Sequence, residues 1–167
     1  LLKDCGIEVH TGIGGTGVVG VLKKGQDAQS IGLRADMDAL PIKEQTDVEY
    51  CSTESGKMHA CGHDGHTAML LVAAKILAEI RRQYAGSIKL LFQPAEEIGF
   101  ADQLIAKGLL QQPKVDAALG LHLMPFIETG RIAVQTGPVL MGMCCFKITI
   151  HGKGGHTGGL PLFTAHW

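Results

Sequence analysis

The densest run of reactive side chains is His59-Ala60-Cys61-Gly62-His63-Asp64-Gly65-His66, where thiol, imidazole and carboxylate groups crowd into one short stretch. These are the donors that transition metals take, and zinc in particular accepts sulfur and imidazole nitrogen together. Gly62 and Gly65 lie on either side of His63 and permit a sharp loop, so that Cys61 and His63, two residues apart, can turn toward one ion. The same run would also serve as an ordinary helix entry with Asp64 as its N-cap.

Three smaller clusters carry related chemistry. Gln93-Pro94-Ala95-Glu96-Glu97 delivers adjacent carboxylates directly after an apolar run. In an extended segment such neighbours point apart, so one can bind a metal while the other takes the proton of a water whose pKa the metal has lowered. A solvated pair in a turn is the alternative. Gly120-Leu121-His122-Leu123 ends another apolar run with one imidazole, which is either a ligand or a satisfied core group. Asp36-Met37-Asp38, shortly before Pro41, fits a turn opener or a carboxylate that orients a ligand from behind.

The elements that must position these groups follow from periodicity. Alternating β-branched residues and glycines at 6–9 and 14–22 predict two short strands joined by a glycine turn, and 30–36 predicts a third. Apolar residues at Met69, Leu70, Val72, Ala73, Ile76, Leu77 and Ile80 have helical spacing and predict a helix over 67–82. Residues 87–92 and 115–121 read as apolar strands, with a helix at 104–110 between them. Strand alternating with helix predicts an α/β fold with a mixed, largely parallel sheet and flanking helices. Asp36/Asp38, Cys61/His63, Glu96/Glu97 and His122 should then meet at the carboxyl edge, each at a strand end. Further strands are expected at 130–134 and 146–150, and a second, smaller region from Gly142 on. Residues 152–167 carry no assignable pattern.

Composition narrows the function classes. Of 167 residues, 46% are hydrophobic and 19% charged, with Lys plus Arg 15 against Asp plus Glu 16 and a net charge of -1. This excludes a disordered chain and leaves no basic footprint for nucleic acid. No stretch nears the roughly 18 consecutive apolar residues of a membrane span. Five cysteines without a C-x-x-C pair argue against a disulfide framework and favour a reducing, cytoplasmic compartment. The lack of a resolving cysteine also weighs against thiol redox chemistry at Cys61. A start at Leu1 rather than Met, and an end at Trp167 without a closing element, suggest a piece of a longer protein.

Five ordered motifs narrow this further: residues 32–41 (GLRADMDALP), 58–67 (MHACGHDGHT), 92–97 (FQPAEE), 120–123 (GLHL) and 151–156 (HGKGGH). Together they resemble the N-acyl amino acid amidohydrolases, which include hippurate hydrolase and the plant indole-acetyl-amino acid hydrolases. These fall within the aminoacylase and carboxypeptidase group of dinuclear metallopeptidases. The resemblance implies a zinc-peptidase-like catalytic domain, of which 1–141 would be a portion, and the start of a small α+β lid and dimerisation domain at 142–167. It implies two divalent ions, zinc or manganese with cobalt as a further option, held by Cys61, His63, Glu97 and His122. Glu96 resembles the general base and Asp38 the acid that orients the site. His156 is similar to a lid histidine that reaches a partner subunit's site and steadies the substrate carbonyl, so a homodimer or larger homo-oligomer is implied. In the wider group an Asp stands where this chain has Cys61. The activity implied is amide hydrolysis of a small N-acyl amino acid; the alternative is a catalytically incomplete metal-binding piece, because a further histidine ligand of the family has no counterpart here. On that reasoning the isolated chain is expected to be inactive.

Overall fold

The computed structural model describes residues 1–24, 29–140, 142, 144 and 146–152. Its core is one mixed sheet. The β-branched stretches form a hairpin of β1 (Glu8–Ile13) and β2 (Gly17–Lys24). Between them Gly14 and Gly15 take positive φ, and any side chain at Gly14 would run into Leu104. β3 (Ser30–Asp36) and β4 (Gly86–Gln93) follow the two apolar runs, and β5 (Ala117–Gly120) is short.

The strands lie in the order β1-β2-β4-β3-β5. β2 pairs antiparallel with β1 and β4, whereas β3 pairs parallel with both β4 and β5. The fold is therefore the expected α/β arrangement with a mixed sheet, and its parallel half is β4-β3-β5. β4 is the central strand and nearly all of it is buried, which is why it reads as a continuous apolar run.

Helix α1 (His63–Glu79) lies against one face of the sheet, where Leu70, Ala74 and Ala78 pack with Leu22, Ala35 and Leu90. It begins four residues before the apolar spacing predicts. The cause is that its buried stripe opens with two histidines: His63 and His66 are 1% and 2% exposed and continue into Leu70 and Ala74. A hydrophobicity pattern cannot register a buried polar turn. Conversely, Met69, Val72 and Ile76, which belong to the same apolar spacing, are exposed. On the opposite face Val19, Val21 and Leu91 form a smaller cluster, and α2 (Ala101–Ala106) contributes the fully buried Leu104. Emptying a site such as Leu90 or Leu104 by substitution to Ala would cost about 2–5 kcal/mol.

The expected helix at 104–110 thus lies earlier and is shorter, and β5 is exposed along its length because only β3 flanks it. The chain contacts place a division between Phe126 and Ile127. Beyond it, the strands expected at 130–134 and 146–150 do not form among the described residues. Ile132, Val134, Phe146 and Ile148 are exposed there, and an extended segment becomes a strand only when a neighbour completes its ladder. The described residues contain no helix long and apolar enough to cross a membrane.

Candidate metal centre

Three parallel strands and one helix deliver the reactive groups to a single edge. Asp36 is the last residue of β3 and Asp38 lies two beyond it. β4 ends at Gln93, and Ala95, left-handed at φ 56°, turns the chain into a 3-10 turn spanning Glu96–Ile98. His122 follows two residues after β5. Cys61 and His63, however, end no strand. Gly62, left-handed at φ 81°, opens α1, so that Cys61 stands just before the helix and His63 in its first turn. The Glu pair likewise belongs to a helical turn rather than an extended segment, and the turn, not strand alternation, sets the directions of the two side chains.

Hydrogen bonds fix the imidazoles. His63 Nδ1–H donates to Asp38 Oδ1 at 3.1 Å, and Asp38 Oδ2 accepts the Glu97 backbone N–H at 3.1 Å. One carboxylate thus orients a ring and anchors the turn bearing the Glu pair, the support commonly found behind a metal-binding histidine. His122 Nδ1–H donates to the Leu123 carbonyl at 2.7 Å, which leaves its Nε2 facing Cys61 Sγ at 3.5 Å. With Nδ1 protonated in both rings, both Nε2 atoms keep a lone pair.

The remaining distances bring these atoms to one locus. Cys61, His63 and His122 offer ligand atoms within 4.8 Å of one another, and so do His63, Glu96 and Glu97. His63 Nε2 lies 3.7 Å from Glu97 Oε1, and both atoms are buried without a hydrogen-bond partner. Two orphaned polar atoms facing each other are costly unless something is shared between them. The donors around that gap are two imidazole nitrogens, a thiol sulfur and a carboxylate oxygen, a set that fits a divalent transition metal. Burial pushes the Cys61 thiol above its ordinary range, reinforced by its bond to Glu97 and by the charges of Glu97, Glu96 and Asp36. Such surroundings oppose an activated free thiolate and favour one formed on a cation.

A second carboxylate–histidine pair lies behind the first. Asp36 Oδ1 accepts His66 Nδ1–H at 2.6 Å, and Asp36 Oδ2 binds Arg34 at 2.8 Å. Arg34 Nε also donates to Gln93 Oε1 at 2.9 Å, lacing the ends of β3 and β4 together. Burial acts to raise the Asp36 carboxyl, but the His66 hydrogen bond and the Arg34 charge outweigh it and hold the group below the usual carboxylate range. His66 had a place in the sequence cluster but no role, and its i, i+3 relation to His63 on a buried stripe is the signal that finds it. His156 and most of 142–167 lie outside the described residues.

The chain is similar to known proteins along most of its length. It is 47% identical over 161 residues to hippurate hydrolase of Campylobacter jejuni, a match covering 96% of this chain and 41% of that protein. It is 46% identical over 156 residues to N-acetyl-L-cysteine deacetylase of Bacillus subtilis, covering 93% of this chain and 37% of that one. The chain therefore spans about two fifths of the length of these curated relatives. Among solved structures, a Bacillus subtilis protein described as a dinuclear metal binding peptidase superposes with a TM-score of 0.70 at 40% identity, over 75% of this chain and 35% of that one. The model of peptidase family M20/M25/M40 matches residues 32–162. With most of its length inside that match, the chain belongs to peptidase family M20/M25/M40.

Proposed function

We propose that the protein hydrolyses the amide bond of N-acyl amino acids with the help of two divalent metal ions, zinc or manganese. The observation that carries this reading is the facing pair of orphaned atoms, His63 Nε2 and Glu97 Oε1, beside Cys61 and His122. The names of the relatives, a hippurate hydrolase and an N-acetylcysteine deacetylase, support the substrate class. Cys61, His63, Glu97 and His122 would hold the ions, which when bound supply an acidified water and a polarised carbonyl. Glu96, on the same turn as Glu97, takes the proton from the attacking water and returns it to the leaving amine. Asp38 touches no reacting atom; it holds His63 and the Glu97 backbone in place. His156, which lies outside the described residues, would by the family resemblance stabilise the substrate's carbonyl oxygen from a partner subunit. A cysteine ligand requires a reduced thiol, which suits a cytoplasmic setting, and the four described cysteines Cys5, Cys51, Cys61 and Cys144 are free.

The test is metal analysis of the intact protein combined with hydrolysis of benzoyl and acetyl amino acids. Bound metal together with turnover that a chelator abolishes and metal restores is the expected result. Metal binding with no turnover on either acyl class would favour a non-catalytic metal module instead.

A further inference from the structure

We propose that His66 is a positioning residue that seats His122 on the start of helix α1. The proposal rests on the metal-centre reading above for its consequence, but not for its geometry. His66 Nδ1–H is committed to Asp36 at 2.6 Å, which leaves Nε2 as an acceptor. That acceptor receives the Leu123 backbone N–H at 2.9 Å, from the residue immediately after His122. Both nitrogens are spent, so the ring has no lone pair to offer an ion, although Asp36, His63 and His66 lie close enough together to suggest a metal triad. The His66 and His122 rings also pack edge-on, with centroids 4.6 Å apart.

The backbone opposite is shaped for the same contact. A Cβ on Gly65 would stand 2.6 Å from Leu123 Cδ1, and one on Gly62 would stand 3.3 Å from it. Leu123 therefore lies in a notch that two glycines leave on the helix entry, and the His66 bond fixes its depth. The chain through Asp36, His66 and Leu123 carries the end of β3 to the segment bearing His122. Since β5 is exposed and borders only β3, the segment depends on this clamp for its position.

The experiment uses the intact protein and two readouts. In metal-free protein, hydrogen exchange at the Leu123 amide should be at least about tenfold slower than in an unprotected amide, and His66→Leu should remove that protection while β4 keeps its own. The zinc dissociation constant of folded His66→Leu should rise about tenfold to a hundredfold, the range typical of groups that support a ligand. His66→Gln, whose amide carries a donor and an acceptor, should recover part of the loss. An unprotected Leu123 amide in the wild type overturns the clamp even if no variant folds. Unchanged zinc affinity in a folded His66→Leu protein overturns its role at the metal centre. Weakened zinc binding with Leu123 protection intact would instead make His66 a ligand. A wild-type protein that binds no zinc or manganese sinks the metal reading, and the exchange arm then decides the clamp alone.

Discussion

Histidine meets carboxylate at both ends of this sheet, with opposite results. On the β1–β2 hairpin His10 Nε2 lies 3.0 Å from Glu8 Oε1 and Lys23 approaches the same carboxylate at 3.4 Å, all three side chains being about half exposed. The bond and charge of Lys23 hold the Glu8 carboxyl below its usual range, yet water can complete every valence there. At the other edge His63 meets Asp38 at a similar 3.1 Å, but the ring is buried and its second nitrogen lies 3.7 Å from both the Glu97 and the Asp36 carboxylates without a hydrogen bond to either. Residue type and distance are nearly the same in the two pairs. What separates them is whether solvent can finish the hydrogen bonding.

The largest effects should come from within the Glu pair. Glu96→Gln in the intact protein is expected to cut kcat by about a hundredfold or more while leaving metal stoichiometry unchanged, as befits a general base. Glu97→Gln should release metal instead, measured as ions bound per chain. The reverse pattern would exchange the two roles. Next comes Asp38→Asn, which swaps an oxygen facing His63 or the Glu97 amide for an NH2 group. A loss of about tenfold to a hundredfold in zinc affinity is expected by competition with a chelator, and an unaltered affinity would show that the ring needs no such support.

Gly65→Ala should act in two directions. It replaces a poor helix former by the best one, worth about 1 kcal/mol toward stability, while crowding the Leu123 side chain. A raised Tm with a loss of zinc affinity smaller than that of Asp38→Asn is the expected combination; lowered stability would mean that the notch cannot adjust. The smallest effect belongs to the hairpin. Glu8→Gln should move Tm by no more than about one degree and leave metal binding and turnover alone. A clear loss of activity there would erase the contrast drawn above.

Much of this was legible in the sequence, and the failures have a common cause. β3 is found at 30–36 as its alternation predicts, and β4 extends the apolar run by one residue at each end. Cys61, His63 and His122 draw together, and so do His63, Glu96 and Glu97, because the carboxyl ends of the parallel strands and the start of α1 share one edge. The start of α1 was hidden because His63 and His66 occupy a buried stripe that hydrophobicity reserves for apolar residues. The role of His66 was hidden for the same reason: a polar group buried against another polar group leaves no periodic trace. The directions of the Glu side chains depended on the left-handed turn at Ala95, which no alanine advertises.

That alanine has a consequence for anyone selecting the protein for heat resistance. A left-handed alanine carries roughly 1–2 kcal/mol of steric penalty that glycine would not, partly offset because glycine gains more freedom on unfolding. Ala95→Gly is thus among the simplest stabilising substitutions in the chain. The same change would give the backbone leading into Glu96 and Glu97 a choice of routes it now lacks. A screen scored on residual fold after heating would enrich it, and a screen scored on turnover would discard it, so the two selections should diverge at this one position.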